Sequence, residues 1–449
     1  MAIKVRRPWS LLWGLAPAAP PREGKPEILT THNVFSLRRS FVHRPKVFVD
    51  HRHWKYKCAQ HDGGGGRSSH QGTDTPAKSD SKPSKDSKDS TAAGISGSPV
   101  TSVNQVEYIT GVVADGNRYN LIVDTGSSDT FIVNNGFVCL DEKKQKVAEQ
   151  VCKFGPPFKG PFSGGTVPNT HFSITYGNGG SGPALHGTFG YSSLTVAGVA
   201  IKKQQIALAT TGSWSGDGVS SGILGLGLRG LTEAWTGSSP SSKDGTSSQY
   251  DPVSANLGSN TFSLGLSRNE ADSFLAIGGV PANVKMGTVA RVPIQKLQLN
   301  GGGSDYLYYI VAVDQIVWTT ARGQAGAMKP GPHVIVDSGT TLNLFPPDVA
   351  DAINGQFTPP AQYDADSDCY TTACNAVPPK LGVQIGGQML WTDATNMILT
   401  ELKDQKGLCC TGITMTKEEP YILGDTFMQG LVVVFDVGPS KTVSFAKRT

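Results

Sequence analysis

Long apolar runs are missing from this chain. The longest, such as Leu431–Phe435, are strand-length, far short of the roughly 20 apolar residues a helix needs to cross a bilayer. No membrane partner and no membrane-spanning helix are expected. Charge is sparse too: Asp, Glu, Lys and Arg make up 17% of 449 residues, which excludes a coiled coil and a charge-rich disordered protein. Helical periodicity is rare. Pro347–Phe357 is the best helix candidate, with proline near its start and Asp348 and Asp351 in its first turns. No Asn-x-Ser/Thr sequon occurs, so N-glycosylation is not expected. The cysteines include no C-x-x-C pair, which argues against a structural zinc site.

What remains is glycine, with 54 residues, and abundant Ser, Thr and Val, a composition that reads as all-β with many turns. The β-branched runs Val106–Val113 and Tyr119–Val123 flank Asp115-Gly116-Asn117, a hairpin signal. Gly/Ser-rich loops are expected at 159–166, 212–221 and 237–248. Charge is divided unevenly. Residues 1–100 hold 17 Lys+Arg against 8 Asp+Glu, and the remainder 23 against 28. A basic arm therefore precedes a mildly acidic body. The body carries no basic stripe that would extend the arm into a nucleic-acid surface, so no nucleic-acid partner is expected. Residues 62–100, with the run Gly63–Gly66 and the Ser/Lys/Asp/Pro stretch Ser79–Ser90, read as linker, since they offer too little apolar surface to offset ordering entropy. Met1–Pro20 is signal-like: Lys4, Arg6 and Arg7 precede a short apolar stretch, Leu11–Ala16. A mis-assigned gene start is the alternative.

Of seven cysteines, Cys58 lies in the arm, and Cys139, Cys152, Cys369, Cys374, Cys409 and Cys410 lie in the body. An even body count predicts three disulfides and an oxidising compartment. Cys139 and Cys152 form the natural local pair. Cys409 and Cys410 are expected to bond Cys369 and Cys374 in an order the spacing leaves open.

The body repeats itself. Ile122-Val123-Asp124-Thr125-Gly126-Ser127-Ser128 returns as Ile335-Val336-Asp337-Ser338-Gly339-Thr340-Thr341. Gly222-Ile223-Leu224-Gly225 follows the first copy and Tyr421-Ile422-Leu423-Gly424 the second. One Asp-Thr-Gly is a weak signal, and alone each Asp would be read as a turn cap. Two copies at matched intervals predict two homologous lobes about a pseudo-two-fold axis, each bringing one Asp to a shared interface. Glycine after Asp permits close backbone approach. Two carboxyls that close cannot both ionise, so they share a proton.

On these motifs, across roughly residues 100–449, the chain resembles the pepsin-like aspartic endopeptidases of secreted fungal type. The resemblance implies an all-β, bilobal fold with an N-terminal lobe over 101–287, a C-terminal lobe over 288–449 and a removable signal/prosegment over 1–100. It implies that Asp124 and Asp337 activate a water for peptide hydrolysis at acidic pH, with no metal or cofactor. Ser127 and Thr340 would bond the carboxylates, Thr125 and Ser338 would join the lobes, and Gly126 and Gly339 would complete the loops. Phe172–Gly179 resembles the flap hairpin, with Tyr176 as its aromatic and Gly177 at its hinge. Ile122, Ile223 and Ile335 would line apolar subsites around the scissile bond. Phe131 stands where the family commonly carries a tryptophan whose indole holds the flap tyrosine, and Ser338 stands where most members carry threonine. The implied partners are extended polypeptides and pepstatin-type inhibitors, the implied state is a monomer, and the implied location is extracellular or vacuolar.

Rival motifs lack their context. Gly225–Gly230 and Gly177–Gly182 match G-x-G-x-x-G, without the alternating βα pattern of a dinucleotide site. Gly218–Gly222 matches G-x-S-x-G, but only His333 follows it in the chain, and no strand–helix turn surrounds it. The non-enzyme alternative is an inactive scaffold that binds a partner. Loss of activity normally changes an Asp, a Gly or the flap Tyr, and all are intact here.

Overall fold

The computed structural model describes residues 94–449, apart from 142, 177–182, 238–244, 247–248, 300–302, 320–322, 324 and 418. The signal-like stretch, Cys58, most of the basic arm and Gly177 lie outside the described residues.

Strands dominate. Fourteen of them form one hydrogen-bonded sheet that runs from Met286–Pro293 at one end to Ala234–Thr236 at the other. At the first end, Met286–Pro293, Thr442–Arg448, Leu431–Asp436, Thr261–Gly265, Phe274–Ile277 and Ser96–Val103 are neighbours in that order. The first described strand, Ser96–Val103, and the last, Thr442–Arg448, thus share one platform, from which both lobes grow. The 287/288 boundary expected from sequence falls inside one of its strands, Met286–Pro293. The second lobe adds sheets of five, four and four strands and a two-stranded pair. Leu431–Asp436, the sequence Leu-Val-Val-Val-Phe-Asp, is the platform's central apolar strand, as β-branched residues favour.

The hairpin forms where expected. Glu107–Ala114 pairs with Asn117–Asp124, and Ala114 faces Asn117. Asp115 and Gly116 both have positive φ, 47° and 80°, the two-residue turn whose twist matches paired strands. The helix Pro347–Asn354 stops three residues before the expected Phe357. Ser96–Val103 corrects the linker reading of 62–100. It is a strand, polar in composition, held by pairing first with Phe274–Ile277 and then with Glu107–Ala114. Its backbone bonds supply the order that its side chains do not.

All six body cysteines are bridged, as Cys139–Cys152, Cys369–Cys410 and Cys374–Cys409. The last two fix the order left open, because Cys369–Thr372 and Cys409–Thr411 are adjacent antiparallel strands with Thr371 opposite Cys410. In the first lobe, one buried cluster holds Ile122, Phe131, Phe172, Tyr176, Trp214 and Ile223. Its counterpart in the second lobe holds Ile310, Ile335, Leu342, Leu344 and Ile422.

Candidate active site

Each repeated Asp lies at the end of a strand set against the second half of its repeat. Asn117–Asp124 runs parallel to Gly222–Gly225, with Ile122 beside Ile223 and Asp124 beside Gly225. Phe131–Cys139 lies antiparallel on the other edge of that short strand. In the second lobe His333–Val336 runs parallel to Tyr421–Leu423, with Ile335 beside Ile422, and Asn343–Phe345 takes the antiparallel edge. The motif glycines have a steric reason. A Cβ on Gly225 would sit 2.6 Å from the carbonyl carbon of Ser128, and one on Gly424 would sit 2.6 Å from the Leu342 oxygen. Only glycine lets the loop after each Asp fold over its partner strand.

The two carboxyls meet at the junction. Both aspartates are fully buried, and Asp337 hydrogen-bonds Asp124. Each carboxyl is gripped alike by its own loop. The Gly126 N–H donates to Asp124 Oδ1 at 2.8 Å and the Ser127 hydroxyl to Oδ2 at 2.6 Å. The Gly339 N–H donates to Asp337 Oδ1 at 2.8 Å and the Thr340 hydroxyl to Oδ2 at 2.6 Å. Four bonds lock the loops across the lobes. Thr125 Oγ1 donates to the Val336 carbonyl (3.0 Å) and accepts from the Ser338 N–H (3.0 Å). Ser338 Oγ donates to the Val123 carbonyl (2.9 Å) and accepts from the Thr125 N–H (3.2 Å). A serine at 338 makes the bonds reciprocal to those of Thr125, so the departure from threonine loses no hydroxyl function.

Burial raises the Asp337 carboxyl far above the usual carboxylate range, and the facing Asp124 charge raises it further. The Thr340 and Gly339 donors only partly oppose this. A pair with this balance holds one proton between its members. A third carboxyl, Asp425, lies behind the pair. Its N–H bonds the Thr340 carbonyl at 2.8 Å, and neither side-chain oxygen has a hydrogen-bond partner among the described residues. Burial, then the charges of Asp337, Glu107 and Asp124, keep it well above its ordinary value.

Tyr176 directly follows the strand Thr166–Thr175, and its N–H donates to the Pro183 carbonyl at 2.9 Å across the base of the hairpin. Ile122, Ile223 and Ile335 are at most 1% exposed. Ile122 and Ile223 lie in the buried cluster of the first lobe and Ile335 in that of the second, as core rather than an open wall. Phe131 is buried beside Phe172 and Trp214.

Three residues escaped the sequence reading. Asp425 sits inside a quoted motif, but only the fold reveals its place behind the dyad. Asp129 follows Asp124 by five positions and accepts from the Thr232 hydroxyl (2.8 Å) and the Glu233 N–H (2.7 Å), but nothing local signals its burial. Trp214 lay in a stretch read as a Gly/Ser loop, where a lone tryptophan was the available signal. Among the described residues, no cluster of three or more His, Cys, Asp or Glu could hold a metal ion.

Two β lobes meeting on paired, buried aspartates define a bilobal all-β protein with a carboxyl pair at the lobe junction. The chain belongs to the eukaryotic aspartyl protease family, whose model matches residues 107–448, and it is an aspartic-type endopeptidase. It is 32% identical over 364 residues to a probable aspartic-type endopeptidase of Aspergillus fumigatus, covering 76% of this chain and 79% of that one. It is 28% identical over 343 residues to secreted aspartic protease 8 of Candida albicans, covering 74% and 72%. Among solved structures, the aspartic proteinase from Irpex lacteus matches with a TM-score of 0.59 at 20% identity, over 79% of this chain and 98% of that one, a likeness of fold.

Proposed function

We propose that the chain hydrolyses polypeptides at acidic pH with a water activated between Asp124 and Asp337. The observation that carries this reading is the buried carboxyl pair, held by matched N–H and O–H donors from both loops. The ionised member takes a proton from the water, whose oxygen attacks the scissile carbonyl carbon. The protonated member gives its proton to the carbonyl oxygen. Collapse of the resulting gem-diol passes a proton to the leaving nitrogen as the C–N bond breaks, and the pair again holds one proton. No covalent enzyme intermediate is needed.

The substrate lies extended, its backbone pairing with the cleft and with the hairpin that carries Tyr176. Apolar side chains flank the cleaved bond. Three body disulfides and the printed name of the Candida relative support secretion. The basic arm, set against an acidic body, supports a removable prosegment that pairs with ionised carboxylates and is released on acidification. N-terminal sequencing of the secreted protein tests that part: a start near 90–103 supports removal, and an intact Met1 refutes it.

The deciding assay is hydrolysis of denatured haemoglobin at about pH 3.5. Parent protein digests it, a pepstatin-type statine inhibitor blocks digestion, and Asp124→Asn and Asp337→Asn are each inactive. Full activity in either variant overturns the mechanism, and an inactive parent favours the binding-scaffold alternative.

A further inference from the structure

Tyr309 crosses from the second lobe to the first. It directly precedes the strand Ile310–Ala312 and is fully buried. Its hydroxyl donates to the Leu226 carbonyl at 2.6 Å, across 83 positions of sequence. Leu226 directly follows Gly222–Gly225, and its own N–H donates to the Asp124 carbonyl at 2.8 Å. The next residue repeats the arrangement. The Gly227 N–H donates to the Ser127 carbonyl at 2.8 Å, and the Gly227 carbonyl accepts from the Ser254 hydroxyl at 2.9 Å. Leu226 and Gly227 thus bond the first catalytic loop through their N–H groups and are held through their carbonyls. Ser254 holds from within the first lobe, and Tyr309 from the second.

The backbone of Tyr309 serves the other Asp. Ile310–Ala312 pairs antiparallel with His333–Val336, Ile310 opposite Ile335, and the Val336 N–H donates to the Tyr309 carbonyl at 3.0 Å. Val336 directly precedes Asp337. Between backbone and hydroxyl, the ring packs on the platform. Its centroid lies 4.7 Å from that of Phe435, with planes at 59°, and 6.1 Å from that of Phe262, with planes at 71°. Those two rings stack on each other at 4.8 Å and 12°, from facing positions of paired strands. Tyrosine has only two side-chain torsions to fix, so a ring held this way spans the junction as a stiff strut.

We propose that Tyr309 is a positioning residue of the carboxyl pair: its hydroxyl, donated across the lobe junction to the Leu226 carbonyl, sets the loop bonded to Asp124 against the strand that leads into Asp337. The inference rests on the protease reading of Asp124 and Asp337. Two carboxyls share a proton only while they stay close, and their closeness pushes their two apparent pKa values apart. Loss of the strut lets the lobes settle with a wider spacing, which draws those values together.

The test is the pH profile of kcat and kcat/KM on a chromogenic peptide, with active enzyme counted by titration with a pepstatin-type inhibitor. Parent, Tyr309→Phe, Phe435→Leu and Tyr250→Phe are compared. Tyr309→Phe keeps the ring and removes only the hydroxyl. It is expected to lower kcat roughly tenfold or more, to leave KM within about twofold, and to narrow the bell of kcat/KM by about half a pH unit or more. Phe435→Leu keeps the hydroxyl and removes the ring that Tyr309 packs on. It is expected to narrow the bell in the same direction, and it decides the matter if Tyr309→Phe does not fold. Tyr250→Phe is the matched control. It also deletes a buried tyrosine bond to a carbonyl of the first catalytic loop, that of Ser128 at 2.9 Å, but from within the first lobe. It is expected to keep the parent's bell width. A parental kcat or bell width in Tyr309→Phe, or equal narrowing in Tyr250→Phe, overturns the proposal and leaves the dyad reading intact. A parent without activity defeats the dyad reading itself.

Discussion

A Cβ placed on Gly126 would lie 2.5 Å from the carboxyl carbon of Asp337. The reciprocal holds in the other lobe, where a Cβ on Gly339 would lie 2.5 Å from the carboxyl carbon of Asp124. Each loop therefore leaves open the space its opposite carboxyl fills. Alanine at either glycine must push a carboxyl aside or part the lobes, since real Cβ atoms do not approach so closely. Gly126→Ala and Gly339→Ala are each expected to lower kcat by about a hundredfold or more. Peptide-hydrolysis kinetics on folded variants check this, and near-parental turnover would show that the loops yield easily.

The cross-lobe bonds of Thr125 and Ser338 should appear in stability. Thr125→Val keeps the shape and deletes one bond to the Val336 carbonyl and one from the Ser338 N–H. Both abandoned groups are buried, and each costs about 1–3 kcal/mol when unsatisfied. Ser338→Ala deletes the other two bonds. Each variant is expected to lose about 2–4 kcal/mol, read as a lower urea midpoint at unchanged m-value. A midpoint equal to the parent's would mean that the lobes are held elsewhere.

Features encoded within a few residues were legible in the sequence. The duplicated Asp motifs, the Asp115-Gly116 turn and the Cys139–Cys152 pair each rest on short-range chemistry. Features set by register across long separations were not. The order of the later disulfides follows from Thr371 facing Cys410, which no spacing rule supplies. Trp214 meets Phe131, Phe154 and Tyr176 only because parallel pairing of Phe131–Cys139 with Val199–Gly212 brings remote segments together. Ser96–Val103 reads as linker because its order comes from backbone pairing. The resemblance implied that the isoleucines line subsites, but each is buried in its lobe's core.

The two disulfides of the second lobe are nested, and that predicts non-additive losses. Cys374–Cys409 lies within the loop closed by Cys369–Cys410, offset by five residues at one end and one at the other. Either bridge closes nearly the same long loop, so the second constrains only a short one. Chain-entropy scaling gives ~2 kcal/mol for deleting either bridge as a Ser/Ser pair and ~6 kcal/mol for deleting both. Denaturant unfolding of the three variants checks this. A double loss equal to the sum of the single losses would show that the bridges act through strain or local packing rather than shared loop closure.

Asp129 sets a pH dependence opposite to that of an ordinary surface carboxylate. Burial pushes it from 3.8 to about 7, against the lowering effect of bonds from the Glu233 N–H and the Thr232 hydroxyl. Below about pH 4 folded and unfolded chains are both protonated here, and the stabilising contribution is complete. From there to about pH 7 the unfolded chain ionises while the folded one keeps its proton, so stability falls by about 1.4 kcal/mol per pH unit. Above that range both states are ionised and the contribution is gone, a total change of about 4 kcal/mol. Asp425 and Asp337, raised for the same reason of burial, act in the same direction. Asp129→Asn should be less stable than the parent in acid, because its amide N–H₂ faces one of two donors. It should also lose stability more slowly between pH 4 and pH 7 in urea titrations. A variant with the parent's slope would mean that Asp129 is already ionised in the folded protein, and that its two donors outweigh its burial.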